Sequence, residues 1–178
     1  FFNPLLMLAV YTFVFSVVFK ARWGGGGEDK VNFAIILFVG LIVYGLFAEC
    51  INRAPHLIVS NVNYVKKVVF PLEILPSVAI GSALFHAGIS LTVLLTAQLL
   101  INQRLPWTVI IFPIILLPLL LATTGFAWLL SALGVYVRDI AQITTVFTTV
   151  LMFLSPLFYP VSALPKNYQL WLHLNPLT

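Results

Sequence analysis

The chain has 178 residues, of which 61 % are hydrophobic and only 8 % charged, with a formal net charge of +4. A water-soluble domain carries about 25 % charged residues, so this supply cannot cover a solvated surface and a soluble globular domain is excluded. Lipid makes the composition sensible, because apolar side chains can then face outward as well as inward.

Five apolar stretches follow one another along the chain. The first covers residues 4–19, with Asn3 as an N-cap and Pro4 at the first helical position. A polar loop is expected over residues 20–32, because Gly24 to Gly27 cannot hold a helix cheaply. The second stretch is read over residues 33–52. Residues 53–71 are amphipathic and polar enough to leave the hydrocarbon. The third stretch covers residues 72–101 and the fourth residues 107–137, with Pro113 and Pro118 inside it and a kink expected there. About thirty residues of helix measure ~45 Å, so these two should tilt or protrude. Arg138 and Asp139 mark the next turn, and the fifth stretch runs over residues 140–158.

The tail, residues 159–178, is broken by Pro160, Pro165 and Pro176 and carries Tyr168, Trp171 and His173. It reads as an interfacial or re-entrant segment, since Trp and Tyr favour the headgroup level. Continuous apolar runs such as residues 110–121 do not alternate in polarity, which argues against a β-barrel. The fold class expected is therefore all-α and polytopic. The apolar opening without a methionine and the uncharged final residues are read as trimming points of a longer chain.

Charge does not orient the chain. The loops after the second and fourth stretches carry Arg53, Lys66, Lys67 and Arg138, and the other loops and tail carry Lys20, Arg22, Lys30, Arg104 and Lys166. Four basic residues against five give the positive-inside rule nothing to act on. Nor do the basic residues form a dense block suited to nucleic acid.

Catalytic chemistry finds no support. The acidic residues are Glu28, Asp29, Glu49, Glu73 and Asp139, with no metal-spaced pair inside a span. His56, His86 and His173 lie in three different segments, and Cys50, the single cysteine, reads as a small buried hydrophobe. The run Gly24–Gly27 followed by Glu28, Asp29, Lys30 and Val31 superficially resembles a phosphate loop, but that motif needs Gly before the Lys and Ser or Thr after it. No cofactor is expected on this chain and no enzymatic activity of its own. His86 and Gln98 are polar residues inside a span, suited either to a helix–helix hydrogen bond or to a substrate contact. The aromatic residues Tyr11, Phe13, Phe15, Phe147, Phe153, Phe158 and Tyr159, with His86, are candidates for lining a substrate pathway, against the alternative of lipid-facing packing.

One ordered series is more specific. It comprises Asn52-Arg53-Ala54-Pro55, then Ser60-Asn61-Val62-Asn63-Tyr64-Val65-Lys66-Lys67-Val68-Val69-Phe70-Pro71-Leu72-Glu73-Ile74-Leu75-Pro76, then Tyr136-Val137-Arg138-Asp139-Ile140, Ser155-Pro156-Leu157-Phe158-Tyr159-Pro160 and Leu174-Asn175-Pro176. This series resembles the permease subunits of ABC-2 type exporters, above all those for O-antigen and lipopolysaccharide, and also those for teichoic acid and capsule. The resemblance covers essentially the whole chain. It implies an ABC-2 transmembrane domain over residues 1–178 with about five of an expected six spans, lacking an N-terminal amphipathic helix and the last span. It implies a homodimer in a bacterial inner membrane, paired with two copies of a separate ATP-binding subunit that holds the ATP and Mg, and moving a lipid-linked polysaccharide.

The resemblance also implies that residues 53–71 are the cytoplasmic segment coupled to the ATPase, with Arg53, Asn61, Asn63, Tyr64, Lys66, Lys67, Phe70, Pro71 and Glu73 in it. Arg138 and Asp139 become a cytoplasmic turn, and residues 159–178 an extracytoplasmic segment. Within transport, the rivals are teichoic acid, capsule and small-molecule or drug export. Outside it, the rivals are a non-ABC membrane subunit and a transferase acting on a lipid-linked sugar, which the short loops disfavour.

Overall fold

In the computed structural model the described residues are 6, 10, 29–61, 71–102 and 107–155. Among them every regular element is helical. Helix α1 spans Asp29–Arg53, a 3₁₀ turn covers Ala54–His56, and the short helix α2 spans Leu57–Ser60. Helix α3 spans Ile74–Asn102, a second 3₁₀ turn covers Trp107–Ile110, α4 spans Phe112–Tyr136 and α5 spans Ile140–Leu154. Leu6 and Val10, in the first apolar stretch, are helical too, and the rest of that stretch lies outside the described residues.

Helix α1 is the centre of the packing. It meets α3 most extensively, then α4 and α5. Its inward side chains, Leu37, Phe38, Ile42, Leu46, Phe47, Cys50 and Ile51, form the core, and Cys50 is buried as a small apolar residue would be. Helix α4 turns a row of mostly small residues inward, namely Leu119, Thr123, Ala127, Ser131 and Gly134. Small residues at helical spacing let backbones approach where no hydrophobic effect drives helices together.

The distribution of polarity is that of a membrane protein. Thr123, Ser131, Thr144, Thr148 and Ser155 are buried, whereas Phe85, Leu100, Ile114, Ile115, Leu121 and Val78 are exposed. All of these hydroxyls but that of Ser155 bond a carbonyl of their own helix, as in the bonds Thr123 Oγ1 donates to the Leu119 carbonyl at 2.7 Å and Ser131 Oγ to that of Trp128 at 2.9 Å. Three described stretches are long and apolar enough to cross a bilayer: Ile35–Ser60, Ile74–Leu100 and Phe112–Tyr136.

Several expected boundaries move. Residues 29–32, assigned to the polar loop, already belong to α1. The fourth element begins with a separate 3₁₀ turn, so Pro113 falls in the first turn of α4, where its missing N–H costs nothing, and only Pro118 is internal. The fifth stretch stops early. Ser155 adopts an extended conformation with ψ of 143°, the geometry demanded of a residue that precedes proline. At 15 residues, α5 is shorter than the roughly 20 a full crossing needs.

Candidate functional site

Residues 53–61 do not leave α1 as a loop. The chain carries on through the 3₁₀ turn into α2, and Ala54 and Pro55 are buried. Pro55 is seated against α4 at Gly134, where an added Cβ would lie 2.8 Å from the Pro55 Cα and 2.9 Å from its carbonyl carbon. Only glycine permits this backbone approach. Helix α2 is closed off locally: Ser60 Oγ donates to the His56 carbonyl at 2.6 Å and Asn61 Nδ2 to that of Leu57 at 2.7 Å.

The chain resumes at the same end of the bundle. Pro71 and Leu72 carbonyls accept the Ile74 and Leu75 amides and so nucleate α3. Trp128 of α4 donates its indole N–H to the Glu73 carbonyl at 3.3 Å. Pro76 is buried in the first turn of α3. Arg138 and Asp139 lie in the exposed turn between α4 and α5, and the Asp139 carbonyl accepts the amides of Gln142 and Ile143. The structure thus brings Arg53, Asn61, Pro71, Glu73, Arg138 and Asp139 to one end of the bundle. Asn63, Tyr64, Lys66, Lys67 and Phe70 lie outside the described residues.

A polar ladder joins α1 to α3. His86 Nδ1 lies 3.0 Å from both Glu49 carboxylate oxygens, Arg53 Nη1 lies 3.1 Å from Glu49 Oε1, and the same Nη1 donates to Ser82 Oγ at 3.3 Å. Counted from Ile74 at about 1.5 Å per residue, Ser82 is ~12 Å and His86 ~18 Å along α3. Counted back from Ser60 through the longer rise of the 3₁₀ turn, Arg53 is ~12 Å and Glu49 ~18 Å along the other strut. The two antiparallel helices therefore match rung for rung. Of the two roles open to His86 in the sequence, the structure displays the helix–helix hydrogen bond.

A second network ties α1 to α5. Thr148 Oγ1 donates to Asn52 Oδ1 at 3.1 Å and Tyr44 donates its hydroxyl to the Thr148 carbonyl at 3.2 Å.

The candidate pathway residues do not converge among the described residues. Phe147 and Phe153 are both exposed on α5, but six residues of helix place them roughly 120° apart around the axis. His86 sits on α3, which forms no packed pair with α5. Tyr11, Phe13, Phe15, Phe158 and Tyr159 lie outside the described residues. Among the described residues no three His, Cys, Asp or Glu side chains group to hold a metal.

Over residues 1–178 the sequence matches the ABC-2 type transporter family. The chain belongs to that family. It is 29 % identical over 179 residues to the O-antigen export system permease protein RfbA of Myxococcus xanthus, covering 99 % of this chain and 66 % of that protein. It is 24 % identical over 177 residues to a protein of the same name from Klebsiella pneumoniae, covering 98 % of this chain and 65 % of that one. The chain spans about two-thirds of the length of these curated relatives.

As an ABC-2 transporter family member the chain is a membrane protein, which agrees with its outward apolar faces. Sequence reasoning found Arg53 and His86 but missed Glu49, Ser82, Asn52, Tyr44 and Thr148. The available signal was local: Glu49 and Arg53 stand four apart within an apolar run, the spacing at which helical side chains pair. Their partner on α3 is 37 residues from Glu49 and has no local signature.

Proposed function

We propose that this chain is the membrane-spanning portion of the permease subunit of an ATP-driven exporter, and that its cargo is a lipid-linked polysaccharide of the O-antigen kind crossing a bacterial inner membrane. The cargo reading draws on the relatives' names. The coupling reading draws on one observation, the seating of Pro55 on Gly134.

That contact gives a surface push somewhere to go. In this reading residues 53–71 face the cytoplasm and rest on a separate ATP-binding subunit. ATP binding there closes two such subunits, and the segment moves with them. Because Ala54 and Pro55 are wedged against α4 and the segment is continuous with α1, the push reaches at least two spans as a rigid-body displacement. Two copies of the permease then reshape a route between them, and the glycan threads outward through many weak contacts.

The test is reconstitution of the full-length protein with its ATP-binding partner in proteoliposomes. ATP turnover is expected to rise when purified lipid-linked O-antigen polysaccharide is added, and labelled polysaccharide is expected to cross the bilayer. Turnover that responds to a teichoic acid, a capsule polymer or a small molecule and not to this glycan would reassign the cargo. Failure of an ATP-binding subunit to co-purify would reject the exporter reading itself.

A further inference from the structure

We propose that the cluster of Arg53, Ser82 and His86 between α1 and α3 binds the phosphate of a bilayer phospholipid with an anionic headgroup, phosphatidylglycerol in kind, in the leaflet at the Ser60 end of the bundle. The charge pattern of the two helices sets the level. Counted at about 1.5 Å per residue, Lys30 and Glu49 stand ~28 Å apart along α1, and no charged residue lies between them. A hydrocarbon core is roughly 30 Å thick, so Glu49 falls at its edge and Arg53, one turn further out, in the headgroup layer. Helix α3 gives the same level. His86 is its only ionisable residue, and the ~24 Å from there to Asn102 carry no charge. The side chains of Arg53 and His86 remain 49 % and 58 % exposed while paired to Glu49, so they stand open to what surrounds the bundle at that level.

The cluster is short of acceptors and rich in donors. Glu49 is its one anion, and both carboxylate oxygens are engaged, Oε1 by Arg53 and His86 and Oε2 by His86. Arg53 makes its bonds to Glu49 and Ser82 through Nη1, which leaves Nη2 and Nε without a partner among the described residues. Ser82 Oγ accepts from that Nη1 and has its own proton to give. His86 uses Nδ1, and its Nε2 has no partner among the described residues and donates whenever the ring is cationic. A phosphate oxygen at the headgroup level supplies the missing acceptor, with charge-assisted hydrogen bonds to the guanidinium fork. Basic pockets between spans are where anionic headgroups bind. Phe85, whose ring lies 6.5 Å from that of His86 and is largely exposed, offers the acyl chain an apolar surface beside the polar one. An ethanolamine headgroup fits less well, because its ammonium would meet the guanidinium and a carboxylate already engaged. The site rests on the ladder and the helix lengths, not on the exporter reading.

The experiment uses the full-length protein, with its ATP-binding partner where that co-purifies, in nanodiscs holding equal amounts of phosphatidylglycerol and phosphatidylethanolamine. Native mass spectrometry reads the lipid that stays bound when the disc is stripped away. Phosphatidylglycerol should be retained over phosphatidylethanolamine by about fivefold, the worth of one well-placed exposed ion pair. Arg53→Lys keeps a charge and loses the fork, and His86→Asn keeps a donor toward Glu49 and loses the second ring nitrogen, so each should weaken that preference. Arg53→Lys combined with Ser82→Ala should abolish it. Equal retention of the two lipids by the unmutated protein overturns the proposal, a comparison that stands whether or not the variants fold. A preference that survives the combined variant also overturns it, by placing the lipid elsewhere. Full displacement of phosphatidylglycerol by inorganic phosphate would make the ligand a soluble anion, and displacement by purified lipid-linked O-antigen polysaccharide would make the cluster a cargo contact; either result rejects a bound bilayer lipid.

Discussion

Gly134 and Pro55 meet backbone to backbone, with no room between them for a methyl group. Gly134→Ala should therefore force the 3₁₀ turn away from α4 and destabilise the protein by about 1–3 kcal/mol, the usual cost of overpacking a tight contact. Gly125→Ala, where an added Cβ meets nothing within 4 Å, should be neutral or slightly stabilising. Thermal unfolding of the two variants in detergent checks the contrast. Equal melting temperatures would remove the brace from the coupling account.

The α1–α5 tie makes a second prediction. Thr148→Val keeps the shape and removes the hydroxyl that bonds Asn52. Hydrogen bonds between spans are worth about 0.6 to 1.7 kcal/mol in double-mutant cycles. A cycle of Thr148→Val with Asn52→Leu should give a coupling energy in that range, and a value near zero would show that the bond contributes nothing to holding α5.

Glu49 partners two groups and His86 and Arg53 one carboxylate. Glu49→Ala should accordingly lower the yield of folded, membrane-inserted protein more than His86→Ala does. Adding His86→Ala to Glu49→Ala should recover some of the loss, because one orphaned polar group is then gone. Folded yield read by gel filtration in mild detergent decides it, and strict additivity of the two losses would argue against a shared pair.

The shared end of the bundle predicts a topology. Asn61→Cys and Arg138→Cys should both react with an impermeant thiol reagent from the same side of sealed vesicles, and under the exporter reading that side is cytoplasmic. Reaction of the two from opposite sides would contradict the parallel course of α1 and α4.

The paired Lys66→Glu and Lys67→Glu variant tests the coupling segment from the other direction. Export and substrate-stimulated ATP hydrolysis should fall together, with membrane insertion unchanged. Normal export would reject the assignment of residues 53–71 to an ATPase contact.

Much of this fold is legible in the sequence because lipid imposes a simple rule: long apolar runs must satisfy their backbones within a helix. The third stretch, read over residues 72–101, is found at Ile74–Asn102. The errors lie where that rule has no hold. Asp29 and Lys30 look like loop residues by polarity, yet an acidic residue suits the positive end of a helix, and α1 begins there. Pro156 already signals the stop at Ser155, because a residue before proline is pushed out of the helical region. The ladder is the least legible feature. Nothing near His86 in sequence says that Glu49 stands opposite, since that depends on the register of two antiparallel helices. Gly134 escapes notice for the same reason: its role is set by Pro55, a residue from another element.

The continuity of α1 through the 3₁₀ turn has a mechanical consequence. The apolar rod from Ile35 to Ser60 is 26 residues long, and Gly134 holds it near one end, at Pro55. About 8 Å of rod lies on the Ser60 side of that pivot and ~30 Å on the Ile35 side. A rod tilting as one piece about such a fulcrum multiplies displacement roughly fourfold, by the ratio of its arms. A nudge of about one ångström at Ser60 then becomes a swing of ~4 Å at Ile35, enough to separate a pair of packed side chains across the bilayer from where the force is applied.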